Sequence, residues 1–239
     1  MKNCIRLILA LALLCPALST AMLAADNAYL YLLQGLPGRD YSAATDPVFP
    51  VDILISGKDG EICYEHGLTY GDIAGPLTLA PGSYSVQVSV ADSLAPCSNT
   101  AFVEKTVSLG AGKNVSAVVA LSPTDTFTLL TFTNNFTAVT AGKVRVLLAQ
   151  AVDVPTVQVI LQNKTTLTSN TYTVKSGALL DVNLPAAQYS VQVNQGTTTL
   201  VSTSLFTLES QTVLLLYAVG KASNSTVTLP SRMVRNVVP

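Results

Sequence analysis

The sequence has no tryptophan, one histidine and little charge: 13 lysines and arginines against 14 aspartates and glutamates, for a formal net charge of -1 over 239 residues. Charge this sparse and balanced builds no basic field, which excludes nucleic acid and an anionic membrane surface as partners. A lone His66 leaves little for acid–base chemistry near neutrality, and a transition-metal centre draws on clustered histidine and cysteine that the chain lacks. Cys63 and His66 could be written as a thiol dyad, but Cys97 offers the sulfur a partner. No Gly-x-Ser-x-Gly elbow occurs, and Gly110-Ala111-Gly112-Lys113 lacks the spacing of a phosphate loop and reads as a turn. The acids stand singly; the closest cluster, Asp59-Gly60-Glu61, lacks alternating oxygen ligands and reads as a hairpin turn, not a calcium loop. No catalytic, cofactor or metal site is expected, and the chain is read as not an enzyme.

Long apolar runs are scarce as well. The clearest, Leu7 to Leu14, follows Lys2 and Arg6 and gives way to small residues at Ser19, Ala21, Ala24 and Ala25. That is the layout of a secretory signal peptide, taken as residues 1–25, and the run is well short of the ~20 residues a spanning helix needs. Leu14 before Cys15 argues against lipidation, where a small residue would stand. Cleavage removes Cys4 and Cys15 and leaves Cys63 and Cys97 in an oxidising compartment, so one bridge is expected; two buried free thiols are the alternative. Closing that loop stabilises the fold by about 3–4 kcal/mol on the chain-entropy scale. The mature chain is expected in the periplasm, at the cell surface or secreted, with no transmembrane segment.

What the chain does have is valine, isoleucine, threonine and frequent turn residues. Short apolar runs recur at Val51–Ser56, Ser83–Val90, Val115–Leu121, Phe127–Thr133, Val144–Ala149, Val157–Gln162, Tyr189–Asn194 and Val213–Val219, without a sustained helical period. A long-period repeat is also present. Leu79-Ala80-Pro81-Gly82-Ser83-Tyr84-Ser85-Val86-Gln87-Val88 is answered, with six identities, by Leu184-Pro185-Ala186-Ala187-Gln188-Tyr189-Ser190-Val191-Gln192-Val193. Val51-Asp52-Ile53-Leu54-Ile55 matches Val157-Gln158-Val159-Ile160-Leu161, and Tyr31-Leu32-Leu33 is aligned with Val146-Leu147-Leu148. The pattern predicts an all-β protein of two tandem immunoglobulin-like Greek-key β-sandwich domains, residues 26–134 and 143–239, each with a buried structural tyrosine, Tyr84 or Tyr189, forming a tyrosine corner.

Val144-Arg145-Val146-Leu147-Leu148-Ala149, then Pro155 and Val157-Gln158-Val159, resembles the opening Val-Arg-Val-Val-His-Ala-Ser-Pro-Asp-Ala-Pro-x-Val-Asp-Val of a bacterial domain of unknown function, number 4397. Val51-Asp52-Ile53-Leu54-Ile55-Ser56-Gly57 and both leucine-turn-tyrosine blocks fit the same pattern. The resemblance implies an exported, often tandem sandwich of bacterial envelopes, with no established activity. Leu33 and Leu148 stand near where that family often carries histidine, so no role of that histidine transfers.

An interaction or structural module of the envelope or exterior follows, with an envelope or extracellular protein as the partner, or a glycan in the alternative reading of a carbohydrate-binding accessory protein. Loops at the ends of a sandwich are where contacts are made. The segments Leu36 to Phe49 and Asp92 to Thr100 are the natural places, and Arg39, Asp40 and Tyr41 form the candidate interaction loop. The absence of tryptophan weighs against sugar stacking.

Overall fold

The structure, a computed structural model, describes residues 27–38 and 49–235. The expected signal peptide and Arg39, Asp40 and Tyr41 lie outside the described residues. Eight strands come first: β1 (Ala28–Gln34), β2 (Val51–Gly57), β3 (Gly60–Leu68), β4 (Ile73–Leu79), β5 (Gly82–Val90), β6 (Val103–Leu109), β7 (Asn114–Leu121) and β8 (Phe127–Asn134). They are followed by β9 (Lys143–Val152), β10 (Thr156–Asn163), β11 (Ser169–Lys175), β12 (Leu179–Pro185), β13 (Gln188–Gln195), β14 (Thr198–Thr207), β15 (Val213–Gly220) and β16 (Ser231–Val234).

The protein is all-β, built from four-stranded sheets packed as β-sandwiches. The first eight strands form sheets of order β4-β1-β7-β8 and β3-β2-β5-β6; the rest form β12-β9-β15-β16 and β11-β10-β13-β14, the same order with every label raised by eight. β1 runs parallel to β7, and β9 to β15, while the other pairs are antiparallel. Two sheets of four per half, with a parallel central pair, refine the four-plus-three arrangement of an immunoglobulin constant domain.

Alternation explains the outer sheets. In β5, Tyr84, Val86 and Val88 are buried while Ser85 and Gln87 are only half covered, and β13 repeats the pattern with Tyr189, Val191 and Val193. These residues meet Leu30, Leu32, Val115 and Ala117 in the first half, and Val146, Leu148, Leu214 and Leu216 in the second.

β7, β9 and β15 do not alternate: burial is continuous from Val115 to Leu121, Val144 to Val152 and Val213 to Gly220. Their second faces build a third core, in which Tyr31, Leu33, Val118, Ala120 and Phe132 meet Leu147, Ala149, Leu215, Tyr217 and Val219. The β4-β1-β7-β8 sheet thus packs on the β12-β9-β15-β16 sheet, giving four layers and three cores. Strands covered on both faces read as unbroken apolar runs for this reason.

Approach in the third core is close. A Cβ on Gly35 would lie 2.5 Å from the Val119 carbonyl oxygen and 3.0 Å from Val219 Cγ1, so only glycine fits. The buried Tyr217 and Ser116 hydroxyls are 2.7 Å apart, and Asn134 Nδ2 donates to Ser116 Oγ at 2.7 Å. At the rim, the Arg232 guanidinium stands 5.6 Å from the centroid of the Tyr31 ring, and Lys221 Nζ meets Asp125 Oδ1 at 2.7 Å. Between the halves, Arg145 Nη1 donates to the Asn135 and Thr137 carbonyls at 3.2 and 2.8 Å, fastening the connecting segment to β9.

The sequence alignment of Tyr31-Leu32-Leu33 with Val146-Leu147-Leu148 is shifted by one. Gln34 and Gln150 close equivalent turns: Gln34 Nε2 donates to the Phe49 carbonyl and its Oε1 accepts from Leu36 N, as Gln150 does with Val154 and Val152. Leu32 therefore corresponds to Leu148 and Tyr31 to Leu147. Because side chains alternate faces, the one-residue slip would have exchanged the sandwich core for the third core.

Candidate interaction loop

The end of the first sandwich carries a loop, residues 91–102, between β5 and β6. Asp52 organises it. Val51, Ile53 and Ile55 point into the first core, so Asp52 belongs to the opposite face of β2, yet it is 1% exposed because the loop covers it. Its Oδ1 accepts from Gly67 N at 3.0 Å, and its Oδ2 from Asp92 N at 3.1 Å and Cys97 N at 2.9 Å. Three backbone N–H groups with no strand partner are satisfied by one carboxylate, and bonds to an ionised acceptor are the stronger kind.

Further ties hold the rest. Asp92 Oδ1 accepts from Leu94 N at 2.9 Å and Ala95 N at 3.3 Å, the local turn that aspartate side chains favour. Ser98 Oγ donates to the Ala95 carbonyl at 2.6 Å, and Asn99 Nδ2 to the Val90 carbonyl at 3.0 Å. The expected Cys63–Cys97 disulfide is present, joining the loop to the edge strand β3 across a sequence separation of 34. From this tethered frame Leu94 projects with 94% of its surface exposed.

The other residues singled out in the sequence occupy separate places. Tyr84 is buried and its hydroxyl donates to the Ala80 carbonyl at 2.7 Å; its ring fills the space over Gly57, where a Cβ would come within 2.6 Å. Tyr189 is buried too, but its hydroxyl accepts from Asn163 Nδ2 at 3.3 Å, and Asn163 stands where Gly57 stands in the first half. His66 is exposed on β3, and the disulfide takes the Cys63 sulfur from any dyad with it. Asp59 lies in the tight turn between β2 and β3, where Gly57 pairs with Gly60. Among the described residues no three His, Cys, Asp or Glu side chains gather where they could hold a metal ion. No helix among them is long and apolar enough to cross a membrane.

Sequence reasoning named the Asp92 to Thr100 segment but missed Asp52, its anchor. The only available signal was an acid inside the apolar run Val51-Asp52-Ile53-Leu54-Ile55. The partners are 15, 40 and 45 residues away, beyond any local pattern.

The family model described as "Domain of unknown function (DUF4397)" matches residues 41–160. No curated protein matches the sequence. Among solved structures, the Bacillus anthracis TIE protein is 13% identical, with 82% of this chain and 34% of that chain covered at a TM-score of 0.28. This chain thus spans about a third of that protein's length. A structure described as "a putative adhesin from Bacteroides ovatus" is also 13% identical, covering 89% of this chain and 94% of that one at a TM-score of 0.25.

Proposed function

Because the chain belongs to the DUF4397 family, whose function is undefined, we propose its role from its own surface: a non-enzymatic interaction module, exported to the cell envelope or beyond. The observation that carries this reading is the pinned loop with Leu94 at its tip. A side chain held out by a disulfide, a buried carboxylate and local turns loses little freedom on binding, so its burial is available to affinity. A protruding leucine fits an apolar pocket on a partner protein, where its apolar surface would leave water. The disulfide supports export, since such bridges persist in oxidising compartments.

A pull-down from envelope extract with the oxidised protein, read by mass spectrometry beside a Leu94→Asp variant, tests this. A defined protein captured by the wild type and lost by the variant is expected. Equal capture by both would remove the loop from the interface, and capture of polysaccharide alone would favour the second reading.

That second reading, of a carbohydrate-binding accessory protein, is favoured by one feature. The outward rows of β11, β10 and β13 align Thr173, Gln158 and Asn194 side by side, with Thr171, Ile160 and Gln192 in the next row. These side chains carry no charge, and the exposed Thr171, Thr173 and Gln158 with the half-buried Gln192 offer hydroxyl and amide groups suited to a neutral glycan. Binding to a glycan array that disappears in Gln158→Ala/Gln192→Ala protein would support it.

A further inference from the structure

The third core has a symmetry that neither half needs for its own fold. Residue equivalences follow from strand registers. Gln34 corresponds to Gln150, so Leu30 corresponds to Val146; pairing of Leu30 with Val115 and of Val146 with Leu214 carries this to β7 and β15. Ser116 then corresponds to Leu215, Val118 to Tyr217 and Ala120 to Val219. Pairing of Ser116 with Phe132 and of Leu215 with Arg232 relates Phe132 to Arg232 and Leu130 to Pro230. Gly71 corresponds to Gly177: both have positive φ, 89° and 72°, and their N–H groups donate to the carbonyls of Gln34 and Gln150 at 2.8 and 3.0 Å.

The contact at the glycine turns is repeated in both directions, and elsewhere the exchanged residues lie in the same core. A Cβ on Gly71 would lie 3.7 Å from Pro230 Cγ, reaching from the first half into the second. On Gly177 it would lie 3.8 Å from Leu130 Cδ2, the equivalent contact reaching back. Tyr217 touches Ser116, and the exchanged pair, Val118 and Leu215, lies in the same core. Arg232 stands by Tyr31, and its exchanged pair is Phe132 and Leu147, again in that core. Gly35 is tight against Val219, and the exchanged pair is Ala151 and Ala120, small beside small. Reciprocal contact of this kind defines a two-fold, isologous interface; a head-to-tail stack of two copies would not produce it.

We infer that the halves, residues 26–134 and 143–239, are the two protomers of a homodimer joined in one chain. The sheet face made by β1 and β7, or by β9 and β15, is a recognition surface for a second copy of the same fold. In the intact chain that surface is satisfied internally, and a relative holding one copy would form a dimer through it.

The test cuts the connection and lets the halves choose partners. A protease site is inserted between Thr140 and Ala141, both exposed. Nicked protein with and without heavy isotopes is mixed in sub-denaturing urea and weighed by native mass spectrometry. Mixed-label pairs report exchange, and pairs of two first halves or two second halves are expected beside the original pair. Exchange that yields only first-with-second pairs, or free monomers, overturns the inference. A variant chain with residues 143–235 in both positions, on the native connection, decides the matter if the nicked protein does not exchange. It is expected to be a compact monomer that does not bind an apolar dye; dye binding or open, separate halves would overturn the proposal.

Discussion

At the residue scale, Asp52 and Tyr217 set the sharpest expectations. Replacing Asp52 with alanine leaves two loop N–H groups and that of Gly67 on β3 without an acceptor inside a covered site, at about 1–3 kcal/mol for a buried donor left unmade. We expect Asp52→Ala to lower the urea midpoint and to raise amide exchange at Asp92 and Cys97 more than in β10 and β13. Tyr217 provides a pH signature. Burial, the largest influence, pushes its hydroxyl from the ordinary 10.0 up to about 12, although the Ser116 hydroxyl bond pulls the other way. The neutral form is thus favoured in the folded chain. Its contribution is intact below pH 10 and is lost as pH rises toward 12. Tyr31, raised by burial in the same core, adds to the loss in the same direction. Alkaline titration of stability should therefore be shallower in Tyr217→Phe; an unchanged slope would count against a buried, neutral Tyr217. Neither residue's role was legible beforehand, because each depends on what covers it, and covering groups come from distant segments.

At the scale of elements, what matters is whether one or both faces of a strand are covered. Val118→Asp puts a carboxylate in the third core and should destabilise by at least about 3 kcal/mol, whereas Thr173→Asp, exposed on β11, should stay within about 0.5 kcal/mol. Equal urea midpoints for the two variants would contradict the double coverage of β7. Native-state hydrogen exchange should likewise rank β1, β7, β9 and β15 as slowest and the edge strands β3 and β11 as fastest. This level was partly readable in the sequence. Tyr84-Ser85-Val86-Gln87-Val88 alternates, and that alone indicates a strand with one wet face. Val213-Leu214-Leu215-Leu216-Tyr217-Ala218-Val219 reads in sequence only as a strand; its lack of alternation reflects a second covered face, whose cover, the other half of the chain, no local pattern shows. The register of β1 against β9 was misjudged because leucine fills both faces there, so hydrophobicity carries no phase.

At the scale of the whole molecule, the third core couples the halves. Each half exposes an apolar sheet face if the other unfolds, so the separate loss of one is costly. Calorimetry of the oxidised protein should show a single transition, with matching calorimetric and van't Hoff enthalpies; two resolved transitions would show that the third core contributes little. The Cys63→Ser/Cys97→Ser variant should lose about 3–4 kcal/mol and keep the single transition, since the bridge constrains the unfolded chain and neither cysteine belongs to the third core.

The two ends of the described chain are anchored differently, and tension would reveal it. β1 lies inside its sheet, bonded to β4 on one side and β7 on the other. A pull along β1 loads both rows of hydrogen bonds in shear, and they must fail together. β16 is a four-residue edge strand paired only with β15, and a pull at its end can peel those pairs in succession. Stretched between two attachments, the molecule would surrender its C-terminal edge at low force while its first strand held, making it a tether with one yielding end.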